Sequence, residues 1–169
     1  LAVLTKAGYT FDGWFDGNTK VTAETVMQKL GDHTLTAKFT PITYTLAFNN
    51  VVAGEQSNPE TYTVEDAFAL TAPTSRIGFT FAGWFDNADF NGDPVAKIEK
   101  GTTGNKTYYA KWTENTYTVT FHAYNGSAVE ETRNILYTGV LGENTFERIG
   151  YTFLGWSAEA GSDEIAYAP

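Results

Sequence analysis

Apolar and polar residues alternate with a period of two along several short stretches of this chain. Tyr44, Leu46 and Phe48 alternate with Thr45 and Ala47, and Tyr117, Val119 and Phe121 alternate with Thr118 and Thr120. Successive side chains on a strand point to opposite faces, so each stretch predicts a half-buried β-strand. Tyr108, Ala110 and Trp112 predict the inward face of another strand, with Tyr109 and Lys111 outward. Leu35, Ala37 and Phe39 against Thr36 and Lys38 give the same pattern earlier in the chain. A further strand carries Tyr62 and Val64, and residues 65–70 read as a turn or short helical piece with Thr63 as its N-cap. Asn125-Gly126 predicts a type I′ hairpin turn, whereas Val52-Ala53-Gly54 and Asn58-Pro59 predict a longer loop. One stretch follows a helical period. Residues 22–30 predict a short helix with Val26, Met27 and Leu30 inward and Gly31 as its stop.

These patterns recur at long range. The string GYTFDGWF at 8–15 returns as GFTFAGWF at 78–85 and as GYTFLGWS at 150–157, in steps of 70 and then 72 residues. Independently, LTAKFTPITYTLAF at 35–48 returns as YYAKWTENTYTVTF at 108–121, a step of 73. A period near 70 residues is too long for a helical or leucine-rich solenoid repeat and fits a small domain. With each unit starting at the strand YTLAF or YTVTF, residues 42–114 form one complete unit. Residues 1–41 are then the C-terminal part of a preceding unit and 115–169 the N-terminal part of a following one. That phase implies a segment of a longer polypeptide. Four residues separate Phe39 from Tyr44, and Trp112 from Tyr117, which predicts a semi-rigid succession of units. The units differ most between the GW motif and the last strand, at 22–30 in the first and 99–106 in the second. Variable loops of this kind commonly carry binding specificity.

Composition narrows the function classes. Aromatics make up 15% of the chain and hydrophobic residues 42%, enough for packed β cores. A formal charge of −9 argues against a nucleic-acid backbone as partner, since that needs clustered Lys and Arg. The absence of cysteine removes disulfides, thiolate chemistry and cysteine metal sites. No run approaches the roughly 18 apolar residues of a membrane-spanning helix, so membrane insertion is not expected. The opening Leu1-Ala2-Val3-Leu4-Thr5-Lys6 lacks the charged region that precedes an export signal's apolar stretch, so an exported parent would carry that signal elsewhere.

Two motifs in fixed order, Gly78-Phe79-Thr80-Phe81-Ala82-Gly83-Trp84 and Thr107-Tyr108-Tyr109-Ala110-Lys111-Trp112, resemble the Listeria–Bacteroides repeat, the family of the internalin B-repeats. The resemblance covers nearly the whole chain. It implies an α+β, predominantly β architecture of tandem small β-grasp-like modules on exported bacterial surface proteins, where they separate an outer domain from an anchor and in some cases contact host cells or glycans. It supplies no catalytic residues. Departures are local: Thr145-Phe146 stands where the second unit has Pro73-Thr74, Ser157 replaces the Phe of GWF, and Lys6-Ala7 stands for Arg76-Ile77 and Arg148-Ile149.

Candidate chemistry is sparse. The GYTF and GW aromatics could form a sugar-stacking platform, but their period and recurrence favour core packing; Tyr109 is the better candidate for an exposed ring. Residues 86–93 resemble a calcium loop. Taking Asn87, Asp89 and Asn91 as ligands, however, puts Ile98 at the twelfth position, where an EF-hand needs a bidentate Glu. His33 and His122 fall in different units with no partner at ligand spacing. Glu130-Glu131 and Asp163-Glu164 lie in polar stretches without a pocket to shift their pKa. An isopeptide bond would need a buried Lys, and Lys38 and Lys111 fall on outward faces. No catalytic, cofactor or metal site is therefore assigned. The leading expectation is a non-catalytic, extracellular stalk or adhesion segment whose partners are neighbouring repeats, with a host protein or glycan as a further partner. The alternatives are a carbohydrate-binding accessory module and a subunit of a self-assembling extracellular filament, the last through open sheet edges.

Overall fold

The computed structural model describes residues 1–168 except Met27 and Lys29. Eleven strands occur among the described residues: β1 (Tyr9–Asp16), β2 (Thr19–Val21), β3 (Thr36–Pro41), β4 (Tyr44–Asn49), β5 (Thr61–Tyr62), β6 (Phe68–Ala69), β7 (Phe79–Phe85), β8 (Lys97–Ile98), β9 (Lys106–Glu114), β10 (Thr116–His122) and β11 (Glu130–Leu136). The fold is all-sheet, and the described residues contain no helix. The chain forms two compact bodies, one of residues 1–76 with 81–112 and the other of 77–80 with 113–169.

In the first body β1 pairs antiparallel with both β2 and β3. Its register with β3 slips between Phe11 and Gly13, so two residues of β1 oppose one of β3. This is a β-bulge, and the glycine there has φ of 131°. The same glycine in the next copy, Gly83, has φ of 130°, and a Cβ on it would lie 2.7 Å from Pro94 Cβ. The bulge interrupts the alternation and brings positions three apart onto one face. Phe81 and Trp84 meet edge to face at 5.5 Å, as Phe11 and Trp14 do at 6.1 Å.

The second sheet of this body runs in the order β5-β4-β9-β7. At its centre β4 and β9 are parallel, pairing Leu46 with Lys106 through to Asn49 with Tyr109. Parallel neighbours need a long crossover, and here it carries β5 to β8. The short pair β6·β8 covers part of the core. Leu46, Tyr62, Trp84, Ile98, Tyr108 and Ala110 are buried together, with Phe48 4.9 Å from Trp84. The Trp84 indole N–H donates to the Thr71 carbonyl at 2.9 Å. Asn58, buried, clasps the same residue: its amide donates to the Thr71 carbonyl and its oxygen accepts from the Thr71 N–H and hydroxyl.

In the second body β10 and β11 form an antiparallel hairpin from Thr116↔Leu136 to His122↔Glu130. Phe121 is buried, with Trp156 at 4.6 Å and Phe153 next to that indole at 4.9 Å. These contacts match Phe48, Trp84 and Phe81 one repeat earlier. The remainder of this core is thinner. Residues 150–155 join no ladder, and Trp156 forms only an isolated bridge with Tyr167.

Two local expectations are corrected. The stretch 22–30 is not helical where described: Val26 is 76% exposed and Leu30 fully so, while Met27 lies outside the described residues. Thr22 and Thr25 instead bond each other's backbone and hydroxyl groups, offering a turn in place of helical bonds. Without an apolar surface over Val26 and Leu30, a helix this short has nothing to stabilise it. The two-residue turn at Asn125-Gly126 is also absent. Asn125 accepts from the Ser127 N–H and hydroxyl in an Asx turn, and the connection from Ala123 to Val129 becomes a longer loop. The reading of 65–70 resolves as a turn: Thr63 accepts from the Glu65 N–H, Asp66 accepts from the Thr63 N–H and hydroxyl, and β6 follows.

Trp84→Ala should cost about 3–5 kcal/mol, as large core truncations do. Asn58→Ala should cost about 1–3 kcal/mol by leaving the Thr71 N–H unpaired. Urea unfolding followed by far-UV circular dichroism reads both. The Thr63 bonds hold the Asp66 carboxyl below the usual carboxylate range. A depressed folded pKa gives stabilisation that is complete above the ordinary value and lost as pH falls through the folded one. The Tm gap between the native chain and Asp66→Ala should therefore be widest at neutral pH and close below about pH 4.

Candidate functional site

The best-built polar and steric feature outside the cores is the junction where one repeat motif meets the next. In the first body the Gly8 carbonyl accepts from the Ile42 N–H at 2.9 Å. Gly8 has φ of 77°, and a Cβ there would overlap Val64 Cγ1 at 2.0 Å. The Tyr9 hydroxyl donates to Glu65 at 2.8 Å, which holds that phenol above its ordinary pKa. In the second body the arrangement repeats. The Gly78 carbonyl accepts from the Asn115 N–H at 2.8 Å, Gly78 has φ of 78°, and a Cβ would strike the Tyr137 ring at 2.1 Å. Ile42 and Asn115 are 73 residues apart, as are Val64 and Tyr137, matching the step between the last strands of successive repeats.

Only a residue without a side chain can hold both that left-handed conformation and that contact. The carbonyl of the motif's leading glycine thus receives the linker, and its bare Cα receives the residue after the next repeat's second strand. Around Gly78 the seal is aromatic and polar. Tyr137 packs against Phe79 at 6.1 Å and Tyr117 at 6.4 Å, Thr80 donates to Asn115 at 2.6 Å, and Glu114 accepts from the Thr138 N–H and hydroxyl. Those bonds hold the Glu114 carboxyl below its usual range. The same glycine leads the motif in all three copies, at 8, 78 and 150. Its presence in all three copies was the available signal for a contact.

The other candidates are placed as follows. Tyr109 lies between the buried Tyr108 and Ala110, on the opposite face, and is half-buried. Lys38 and Lys111 are half-buried too, their ammonium groups 4.4 Å from the Phe15 ring and 5.1 Å from the Phe85 ring, a cation–π contact built twice. In residues 86–93 the Asn87 side chain bonds the Asn91 N–H and carbonyl, and Ile98, at the twelfth position, is in the core. His33 lies 3.8 Å from Asp16, and His122 pairs across the hairpin with Glu130 at 3.0 Å. Glu131 accepts from Arg133 and Thr145, and Arg133 holds its carboxyl low. Asp163 and Glu164 are exposed. Among the described residues no three His, Asp or Glu side chains converge as a metal group. The loop 99–106 is pinned down: Gly101 donates to the Val64 carbonyl, Tyr62 to that of Gly104, and the Asn105 side chain accepts from Thr45. A shallow cleft of about 610 Å³ in the second body is lined by Tyr124, Asn144, Arg148, Tyr151 and Trp156, with Tyr124 and Tyr151 exposed.

The Listeria-Bacteroides repeat domain matches residues 1–38, 44–111 and 117–168. Internalin H of Listeria monocytogenes is 33% identical over 66% of this chain and 20% of its own length. Two Evansella cellulosilytica proteins are each 28% identical. One, provisionally named a Gly-rich membrane protein, matches over 90% of the chain and 19% of its own length. The other, provisionally named a membrane protein, matches over 97% and 26%. The chain thus spans about a fifth to a quarter of these relatives. No solved structure matches it. With the repeat domain matched three times, on the same motifs that form the bulge, the core and the junction, the chain belongs to the Listeria-Bacteroides repeat family.

Proposed function

We propose that this chain is a non-catalytic stalk segment of an exported bacterial surface protein, acting as a spacer that holds other parts of its parent away from the cell. The observation that carries this reading is the junction built twice from the same parts: a leading glycine, a linker N–H and the residue after the second strand. A spacer needs each repeat seated on the next, because freely jointed units collapse toward random-coil dimensions. Extracellular placement follows the relatives, one named an internalin and two named membrane proteins. We take 42–114 as the complete unit, and its sheet, with parallel β4 and β9 at the centre, supports a β-grasp-like assignment. The tethered loop 99–106 favours a structural role over a free binding loop.

A second reading, glycan contact, is favoured by the cleft where Tyr124 and Tyr151 stand exposed beside Asn144 and Arg148. Sugars stack on such rings and bond to such polar groups.

Two measurements test these readings. Gly8→Ala and Gly78→Ala should each speed amide exchange at Ile42 and Asn115 respectively by at least about tenfold, since a lost or strained bond of 1.4 kcal/mol has that effect. Unchanged exchange would remove the argument for seated repeats. The labelled chain should show no saturable binding to a glycan array or to mammalian cells up to about 50 µM, a range that covers weak lectin-like affinities. Saturable binding lost on replacing 99–106, or in the Tyr124→Ala/Tyr151→Ala variant, would make the segment an adhesin and locate its site.

A further inference from the structure

Asn-Gly occurs twice in the chain, each time behind an aromatic residue: Phe90-Asn91-Gly92 and Tyr124-Asn125-Gly126. The backbone is shaped alike at both. Phe90 and Tyr124 have positive φ, 55° and 46°, and Gly92 and Gly126 follow at 81° and 89°. A bulky residue in that region is strained, and it persists only where surrounding contacts hold it. At the first site those contacts are plain. Phe90 meets the buried Phe85 edge to face at 5.6 Å. The Asn87 side chain accepts from the Asn91 N–H at 3.0 Å and donates to the Asn91 carbonyl at 2.9 Å.

The two sites differ in what holds the carboxamide. Asn125 is half-buried and tied at both ends: its oxygen accepts from the Ser127 N–H at 3.0 Å and hydroxyl at 2.6 Å, and its amide donates to the Glu147 carbonyl at 2.9 Å. Asn91 is exposed. Among the described residues, neither its carboxamide nor the Gly92 N–H has a hydrogen-bond partner. Both glycines have open space where a Cβ would be, so crowding does not separate the sites. A glycine nitrogen can approach the preceding side chain closely because no side chain of its own stands in the way.

We propose that Asn91 is a self-modification site, closing a ring with Gly92, losing ammonia and maturing to an aspartyl or isoaspartyl residue, while Asn125 is protected. Hydroxide takes the Gly92 amide proton, and the nitrogen's electron pair forms a bond to Asn91 Cγ. The Cγ–Nδ2 bond breaks, and its nitrogen takes a proton from water and leaves as ammonia. Water then adds to one of the ring carbonyls, and the C–N bond there breaks. Opening at Cγ gives aspartate. Opening at the main-chain carbonyl gives isoaspartate, whose chain runs through Cγ. Water is consumed, ammonia is released and nothing is oxidised or reduced. Either product adds a carboxylate to a loop that already carries Asp86, Asp89 and Asp93. In isoaspartate the oxygen that Asn87 faces belongs to that carboxylate, so the bond becomes charge-assisted. The change is one-way, so this loop records the age of the chain. The inference goes beyond the spacer reading and does not depend on it.

The test is to hold the full chain in mildly alkaline buffer, digest samples at intervals and follow both asparagines by peptide mass spectrometry, with electron-transfer fragmentation to identify isoaspartate. Asn91 should convert at least about tenfold faster than Asn125, a ratio that the net worth of one hydrogen bond on Asn125 can supply. The rate should rise with hydroxide concentration. In concentrated urea, where only the matching tripeptides count, the two sites should convert at similar rates. Ser127→Ala should speed Asn125 and leave Asn91 unchanged. The main comparison uses the native chain, so it does not require any variant to fold. Equal rates at the two sites in the folded chain would overturn the proposal. So would a gap that persists undiminished in urea, because sequence rather than structure would then set it.

Discussion

The parallel ladder between β4 and β9 decides whether a repeat is closed. It joins residues about 60 apart, the longest loop any ladder closes in the described structure, and so carries the largest entropic cost of formation. That cost is offset only if the ladder brings large side chains together, and here it does. Leu46 and Phe48 arrive on one side and Tyr108 and Ala110 on the other, with Trp84 between them.

The bulge inside the GYTFxGW motif works with that ladder. Alternation alone would send Phe81 and Trp84 to opposite faces. The turn at Gly83, whose φ of 130° matches that of the bulge glycine Gly13, goes with both rings meeting on the core while Phe85 faces the other way, under the Lys111 ammonium. This explains why both the glycine and the tryptophan persist in all three copies while the residue between Phe and Gly is Asp, Ala or Leu. That residue is on neither constrained surface.

Much of this was legible in the sequence because it rests on local period and on repetition. β4, β9 and β10, with their inward residues Leu46, Tyr108, Ala110 and Phe121, follow from alternation. What was not legible depends on contacts between distant residues. The helix expected at 22–30 had the right period, but a helical stripe forms only if some surface receives it, and none covers Val26 or Leu30. Asn58 looked like a loop residue beside a proline. Its clasp on Thr71, 13 residues away, has no periodic signature. Lys38 and Lys111 were correctly placed opposite the core but are not simply solvated, because the neighbouring strand puts a phenylalanine on the same face, a contact that no pattern along one strand announces.

The junction glycines show how a repeat can encode its neighbour. Gly8 and Gly78 lie within their own repeat's motif, yet neither their conformation nor their lack of a side chain is required by that repeat's core. The missing side chain is required by Val64 and Tyr137 of the repeat that follows. Gly150 keeps the same conformation, φ of 81°, with nothing within 4 Å of where its Cβ would be. The left-handed turn therefore does not depend on the contact. Seating successive repeats thus falls to one small residue at the start of a strand and the side chain it faces, while the loops between remain free to vary.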